Sequence, residues 1–405
     1  MKHHTRRPAM LVSVLALSLV GTPSCLDGSS SPVHFEALGD PIPVGPMAGA
    51  PVLADLDLDG DLDVAVVCGP CCGRDPDPES GHVRILLNDG SGNLTYAGQP
   101  VKIGETSLGA AVGDINGDGV PDLACYQHSS YDIAFLIGKG DGSFERPTYF
   151  SMKDAGDPHV HSIALADVNN DGYDDALATL VEDHALAVLL GNGKGGFERA
   201  PHQPYFAHRH PYSQLEIEDI TGDGNLDACM TDMRGNAITI LAGMGNGTFL
   251  TSNGFTLEGH TPINAFERPM ALQLGHLNKD NYPDAVVIAD ESAQALVMLG
   301  DGEGNLVESG SQIRLAVPTT GLRLADINAD GITDIITGGV GVRRESRISI
   351  TLGKGDGTFE RSFPFETGGD SPSPAVGDLN GDGLPDIVTG NYDSGNISVL
   401  IQVRR

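Results

Sequence analysis

The chain has 405 residues, with 24 basic and 55 acidic side chains and a formal net charge of −31. A chain this negative repels phosphate backbones and anionic membrane surfaces, so nucleic acid is not expected as a partner. Glycine is abundant at 54 residues and tryptophan is absent, a composition that suits many short strands joined by tight turns.

Residues 1–24 read as an export signal. Lys2, Arg6 and Arg7 make a positive start, and Met10 to Val20 is an apolar run too short to span a bilayer. The Arg6-Arg7 pair also suits twin-arginine export, although an ordinary positive leader accounts for it. Cys25 closes the run and is followed by Leu26, Asp27, Gly28 and three serines, which resembles a bacterial lipoprotein cleavage site with a tether over 25–33. Thr22-Pro23-Ser24 lacks the usual aliphatic residue three before the cysteine, so plain cleavage and secretion stands beside lipidation. The expected location is the cell envelope or outer surface if Cys25 is lipidated, and periplasmic or secreted otherwise. Membrane contact is expected only through that lipid.

From Asp55 onward one nine-residue pattern recurs seven times. Its copies start at Asp55, Asp114, Asp167, Asp219, His276, Asp326 and Asp378, at intervals of 59, 53, 52, 57, 50 and 52 residues. A period near fifty marks propeller blades or a solenoid. Short apolar stretches precede the copies, as in Val52–Ala54, Ile163–Ala166 and Leu322–Ala325, and apolar runs follow them, as in Val64–Val67 and Leu123–Cys125. A third run comes next (Val83–Leu87, Ile133–Ile137, Leu186–Leu190, Ile348–Leu352) and ends in a glycine-rich turn such as Gly138–Phe144, Gly191–Phe197 or Gly353–Phe359. A looser fourth strand follows each turn. Four antiparallel strands per repeat make one propeller blade.

Counting tests whether the ring closes. There are seven acidic loops but six glycine-rich turns, because the chain ends soon after the third strand of its last repeat, Ile397–Ile401. The segment from Val33 to Leu38 resembles the strands that follow the other turns, so it is expected to complete the last blade. An all-β, seven-bladed β-propeller over 34–405 follows, with the N-terminal strand closing the ring and no sheet edge left open. An open solenoid would leave that edge bare.

The tandem Asp-x-Asp-x-Asp-Gly-x-x-Asp loops with glycine-rich, mostly Phe-ended turns resemble FG-GAP/VCBS repeats, as in the propeller of integrin α-subunits, in many bacterial exported proteins and in some fungal lectins. The resemblance covers 34–405. It implies a calcium-bearing propeller and leaves the biological role open, because the fold hosts many functions.

Calcium takes six to eight hard oxygen ligands. Side chains at positions 1, 3, 5 and 9 of each loop, with the backbone carbonyl at position 7, supply that donor set. The candidate ligands are Asp55, Asp57, Asp59, Asp61 and Asp63 in the first loop, and Asp114, Asn116, Asp118, Val120 and Asp122 in the second. The third offers Asp167, Asn169, Asp171, Tyr173 and Asp175; the fourth offers Asp219, Thr221, Asp223, Asn225 and Asp227. The sixth offers Asp326, Asn328, Asp330, Ile332 and Asp334, and the seventh Asp378, Asn380, Asp382, Leu384 and Asp386. Among the four side-chain positions the first loop has four carboxylates, five loops have three each, and the fifth keeps only Asp280 and Asp284. That fifth loop starts with His276, has Lys279 at position 4, and has Asn281 in place of the turn glycine. About six calcium ions are therefore expected, with the His276 loop weak or empty.

Besides Cys25 there are five cysteines. Cys68, Cys71 and Cys72 are expected to form a local disulfide, since no second ligand pair supports zinc. Cys125 and Cys229 fall on blades two and four and are expected as buried thiols. The rim opposite the acidic loops gathers His128, His159, His161, His184, His202, His208, His210 and His260, with Glu182, Asp183, Asp232, Asp290 and Glu291. Tyr126, Tyr131, Tyr205 and Tyr212 are expected near them. His159 and His161 alternate at a strand start, and a His-x-His pair suits a transition metal, although the sequence places no third ligand. His208 and His210 form a second such pair.

Three functional classes remain. The leading one is a non-catalytic binding or adhesion module, monomeric, with an extracellular protein or glycan as partner. The second is a lectin holding sugars between blades. The third is a polysaccharide lyase or hydrolase using the histidine-rich rim. No nucleophile motif and no distinct acid pair favours the enzyme.

Overall fold

The computed structural model describes residues 31–69, 81–104, 107–128, 130–153, 159–207, 210–250, 255–256, 268–289, 292–338, 346–370 and 372–404. The expected export signal lies outside them, as do residues 25–30 of the tether. Seven antiparallel sheets follow one another along the chain, six of them laid out in sequence order from an inner to an outer strand. The inner strands are Val52–Ala54, Ser107–Gly113, Val160–Ala166, Pro211–Glu218, Pro269–Gly275, Gly321–Ala325 and Pro372–Gly377. Each inner strand lies against those of the neighbouring blades, and the last meets the first, so the ring is closed. The fold is a seven-bladed β-propeller.

Closure occurs where the strand count requires it. In blade seven, Asn396–Gln402 pairs with Phe35–Ala37 in the register Phe35↔Gln402, Glu36↔Ile401 and Ala37↔Leu400. Ile42–Pro43 extends the same edge through Ile42↔Ile397. Val33 is buried among Ile348, Ile350 and Leu400, so the compact unit begins at that residue. Outer strands are the irregular element. In blades one, three and seven the edge is covered by two separate pieces, whereas in blade five a single strand runs over Leu306–Thr319.

The apolar runs after the acidic loops form the second strands. Asp63–Cys68, Asp175–Leu180, Asp227–Asp232, Asp284–Ala289 and Asp386–Asn391 are buried at every position. A neighbouring blade covers each face of these strands, so the usual in–out alternation of an antiparallel sheet is lost there. Seven hydrophobic clusters result, one per blade junction. Val64 and Val66 meet Val388 and Val399 between blades one and seven, and Ile336 and Ile350 meet Ile387 and Leu400 between blades six and seven.

One glycine requirement follows directly from this packing. A Cβ on Gly138, Gly191, Gly243, Gly300 or Gly353 would lie 1.9–2.3 Å from a backbone oxygen of Pro121, Asp174, Leu226, Pro283 or Thr333, respectively. The first glycine of each of these turns is therefore pressed against the acidic loop of its own blade, where no side chain fits.

Cys125 and Cys229 are buried free thiols, as expected. Cys68 is also a buried free thiol, so the expected local disulfide does not include it; Cys71 and Cys72 lie outside the described residues. Cys68 sits at the end of an all-buried strand within the cluster between blades one and seven, where it packs as a small apolar residue.

Candidate metal loops and the opposite rim

All seven acidic loops join the first strand of a blade to its second, so they share one rim of the ring. In six of them the first aspartate is a backbone clamp. Asp55 accepts from the N–H groups of Asp59 and Gly60 at 3.1 and 3.0 Å. Asp114, Asp167, Asp219, Asp326 and Asp378 accept the equivalent pairs at 2.7–3.2 Å. Position 5 accepts from the N–H of position 7 in all seven loops, which ties down Asp61, Val120, Tyr173, Asn225, Ile332 and Leu384 together with Tyr282 of the fifth. The asparagines at position 3, Asn116, Asn169, Asn328 and Asn380, donate to the position-5 carboxylate at 2.9–3.2 Å. The position-6 glycines have φ between 81 and 99°, the left-handed turn that the motif demands. Position 4 is left-handed as well in these six loops, even where it is Leu58, Asn170 or Ala329. Sequence reading missed that feature, because nothing in a leucine signals positive φ.

In the first loop Asp55, Asp57 and Asp63 each offer an oxygen within 4.8 Å of the others. Oδ1 of Asp57 is buried and accepts no hydrogen bond. Burial, followed by the neighbouring Asp59 charge, raises the pKa of Asp57. Three converging carboxylates with a buried, unengaged oxygen make a donor set that fits a hard divalent cation.

Position 9 braces the backbone. Asp63, Asp122, Asp175, Asp227, Asp284, Asp334 and Asp386 are all fully buried. One oxygen of each accepts from the N–H of loop position 2 at 2.8–3.1 Å. The other accepts from the N–H of Asn88, Gly138, Gly191, Gly243, Gly300, Gly353 or Gln402, at the third strand, at 2.7–2.9 Å. This carboxylate braces the loop against the third strand and satisfies two backbone donors that would otherwise be orphaned. Burial is the leading cause that pushes these acids up, with charge from loop neighbours adding to it in all but Asp227. Asp63, Asp122 and Asp175 reach about 6 and Asp334 about 7.

The fifth loop departs from this pattern at its first residue. His276 Nδ1 lies 3.1 Å from the Tyr282 carbonyl oxygen, and its Nε2 lies 3.8 Å from Glu218 of blade four. Asn281 keeps the left-handed turn at φ 68°, but position 4 is not left-handed there. The Asp284 brace survives intact. One of the two carboxylates left in this loop is therefore retained for the backbone.

The central channel is lined by the inner strands. Glu216 of blade four and Arg323 of blade six act on each other there; burial raises Glu216 to about 7 against the pull of Arg323, and lowers Arg323. Gln273 of blade five accepts from the Leu324 N–H of blade six at 2.6 Å.

The opposite rim is less uniform than its composition implies. His128, at the end of blade two's second strand, meets His159 and His161, at the start of blade three's inner strand. One nitrogen from each ring lies within 4.8 Å of the other two, and His128 and His159 contact through their Nε2 atoms. Tyr212 tilts against His161 with centroids 4.3 Å apart and stacks with His210 at 5.4 Å. Burial, then the neighbouring imidazoles, lowers His128 to about 4 and His161 to about 2. His210 instead lies 3.9 Å from Glu182, which Arg234 approaches to 3.8 Å. Tyr126 and Tyr205 were expected on this rim, but they pack into the hydrophobic clusters beside blade three. Asp232 accepts from the Gly235 N–H at 2.7 Å within a turn. His208, His260, Asp290 and Glu291 lie outside the described residues.

Fold and loops together define a β-propeller whose blades each carry one such loop between their first and second strands. The FG-GAP-like repeat family matches residues 55–125, 276–337 and 326–389. The chain is similar to the T-cell immunomodulatory protein of Mus musculus, at 27% identity over 278 residues, which is 60% of this chain and 43% of that protein. The chain spans less than half the length of the curated relatives it matches. Among solved structures it is similar to an Agrocybe aegerita lectin described for specific recognition of non-reducing terminal N-acetylglucosamine. That likeness has a TM-score of 0.50 and 18% identity, over 79% of this chain and 87% of that one. It is also similar to virginiamycin B lyase from Staphylococcus aureus, at TM-score 0.52 and 13% identity, over 92% of this chain and all of that one. Identities this low show a shared fold alone.

Proposed function

We propose that the chain is a calcium-stabilised, non-catalytic binding module that is exported and acts at the cell surface or outside the cell. The observation that carries this reading is the repeated acidic loop. Six copies present the same clamp at position 1 and the same buried acid at position 9, and in the first copy the carboxylates converge around an unengaged oxygen. Oxygen-only donors of this kind select calcium over softer metals, and the ions offset part of the net charge of −31. A rigid ring with metal on one rim leaves its other loops to bind a partner. The partner is an extracellular protein or glycan, the chain acts as a monomer, and Cys25 is the attachment point if the protein is lipid-anchored. Counting bound calcium and comparing melting in calcium and in chelator tests the metal. No bound calcium, with an unchanged melting temperature, would sink it.

A second reading, a lectin, is favoured by one feature. A groove between blades five and six is lined by Gln312, Arg314, Phe359, Glu360, Arg361 and Ser362. Aromatic and hydrogen-bonding side chains together suit a sugar face and its hydroxyls. A glycan array separates the readings: selective sugar binding that is lost in Arg314→Ala supports the lectin, and its absence supports a protein partner.

A further inference from the structure

We propose that His128, His159 and His161 form a transition-metal site of the zinc class at the channel mouth opposite the acidic loops, holding the ion through three imidazoles and leaving a coordination position open. The site is separate in place and chemistry from the oxygen-lined loops, and does not depend on what those loops bind.

Two structural elements bring the three rings together. His159 and His161 flank Val160 at the start of blade three's inner strand, where the pairing with the second strand shifts register between Val160 and Ile163. His159 itself has φ 43°, a left-handed backbone that few residues other than glycine adopt. Register shifts and left-handed residues re-aim side chains locally, and here both imidazoles come to one side. His128 completes the group from blade two, at the turn leaving its second strand. The site therefore spans a blade junction, which is why the His159–His161 pair announces only two of its three ligands in the sequence.

The geometry suits an ion better than a chain of hydrogen bonds. Ring centroids are 3.9 Å apart for His128–His159, 4.7 Å for His128–His161 and 4.8 Å for His159–His161. Nitrogens bound to one tetrahedral ion at about 2.0–2.1 Å sit about 3.3 Å from one another, with ring centroids about 5 Å apart, so the His161 pairs are already near that spacing and His128 and His159 must draw apart by about 1 Å to ligate. A hydrogen bond between His128 and His159 uses only one pair and leaves His161 out. No carboxylate pairs with any of the three among the described residues; the nearby acid Glu182 faces His210 instead. Imidazole nitrogens in this number select zinc, cobalt, nickel or copper over calcium. All three rings are partly exposed, and no fourth protein ligand joins them among the described residues, so solvent reaches the remaining position. Three protein ligands with an open position is the arrangement of ligand-binding and catalytic zinc rather than structural zinc.

The test uses the full chain, freed of transition metals by chelation, held in excess calcium and titrated with Co2+. About one cobalt per chain should bind, with the strong visible absorption of a low-coordinate histidine site, and added Zn2+ should displace it. Azide should shift the spectrum by taking the open position. His128→Ala, His159→Ala and His161→Ala should each weaken cobalt binding on the order of 100-fold, while Glu198→Gln, at an exposed position away from the three rings, leaves it unchanged. Melting curves in calcium check that each variant is folded, and His→Gln at the same positions replaces any alanine variant that is not. Failure of the wild-type chain to bind cobalt overturns the site, as does binding that persists in a folded triple variant or is competed away by calcium. A spectrum blind to azide overturns the open position.

Discussion

Blade five allows the brace at position 9 to be measured apart from any metal. Asp284 is fully buried and accepts from the Leu277 N–H at 2.8 Å and the Gly300 N–H at 2.9 Å. Asp284→Ala leaves both donors in the interior without a partner. Each orphaned buried N–H costs about 1–3 kcal/mol, so the gross loss is about 2–6 kcal/mol. Removing the acid returns part of this, because burial already raises the Asp284 pKa and thus penalises its ionised form at neutral pH. A net destabilisation of about 2–4 kcal/mol remains. Asp284→Asn should cost less: its amide oxygen still serves one donor, while its NH2 opposes the other. Urea unfolding followed by circular dichroism reads the change in midpoint, with an unchanged slope showing that only stability moved. Calcium stoichiometry should be the same in all three proteins, since the His276 loop is not expected to hold an ion. A shift below about 0.5 kcal/mol in Asp284→Ala, the range of an ordinary surface substitution, would refute the brace.

Much of the ring was legible because its repeats are local. Each loop carries its own turn glycine and each strand its own apolar run, so counting seven loops against six turns was enough to locate the missing outer strand at Phe35–Ala37. The bracing role of Asp63 and its counterparts was not legible. A carboxylate that ligates and one that accepts two backbone N–H groups look identical in sequence, and only the buried position beside Asn88 or Gly138 separates them. Tyr126 and Tyr205 were misplaced because strand ends were read as rim, whereas both rings turn inward to the blade junctions. His128 was expected on this rim, but not as the partner of His159 and His161. His128 precedes His159 by 31 residues and belongs to another blade, so only closure of the ring makes them neighbours.

Four further outcomes are expected. Chelation should lower the melting temperature and broaden unfolding, because carboxylates gathered in each loop repel one another once the ion leaves; an unchanged melt would count against metal in the loops. Native mass spectrometry at saturating calcium should count about six ions, and His276→Asp with Asn281→Gly should add one; a seventh tight ion in the wild type would contradict the reading of blade five. Deleting Val33 to Leu38 should bare the edge of Asn396–Gln402 and promote aggregation; a deletion variant that stays monomeric with wild-type stability would refute the role of that strand in closure. The last outcome concerns pH in metal-free protein. Asp63, Asp122 and Asp175 stand at about 6, and Asp334 and Glu216 at about 7. All lie above the unfolded values of about 4. The folded chain therefore holds protons that the unfolded chain has lost, so ionisation of these acids penalises folding. The penalty is full at about pH 8 and is relieved as the pH falls through about 7 and 6. His128 and His161 act in the opposite sense, since burial lowers both, to about 4 and about 2. Their unfolded forms take protons below about pH 6.5, which costs the fold stability from there downward. The five acids outnumber the two histidines, so metal-free protein should gain stability as the pH falls from about 8 to about 5, with the histidines only blunting the gain below about 6.5. In calcium the gain should flatten or reverse, because protons compete with the ion for the same carboxylates. Melting temperatures across that range, with and without calcium, read both curves. A metal-free protein whose stability rises steadily from about pH 6 to about pH 8 would show that these acids are not held protonated by the fold.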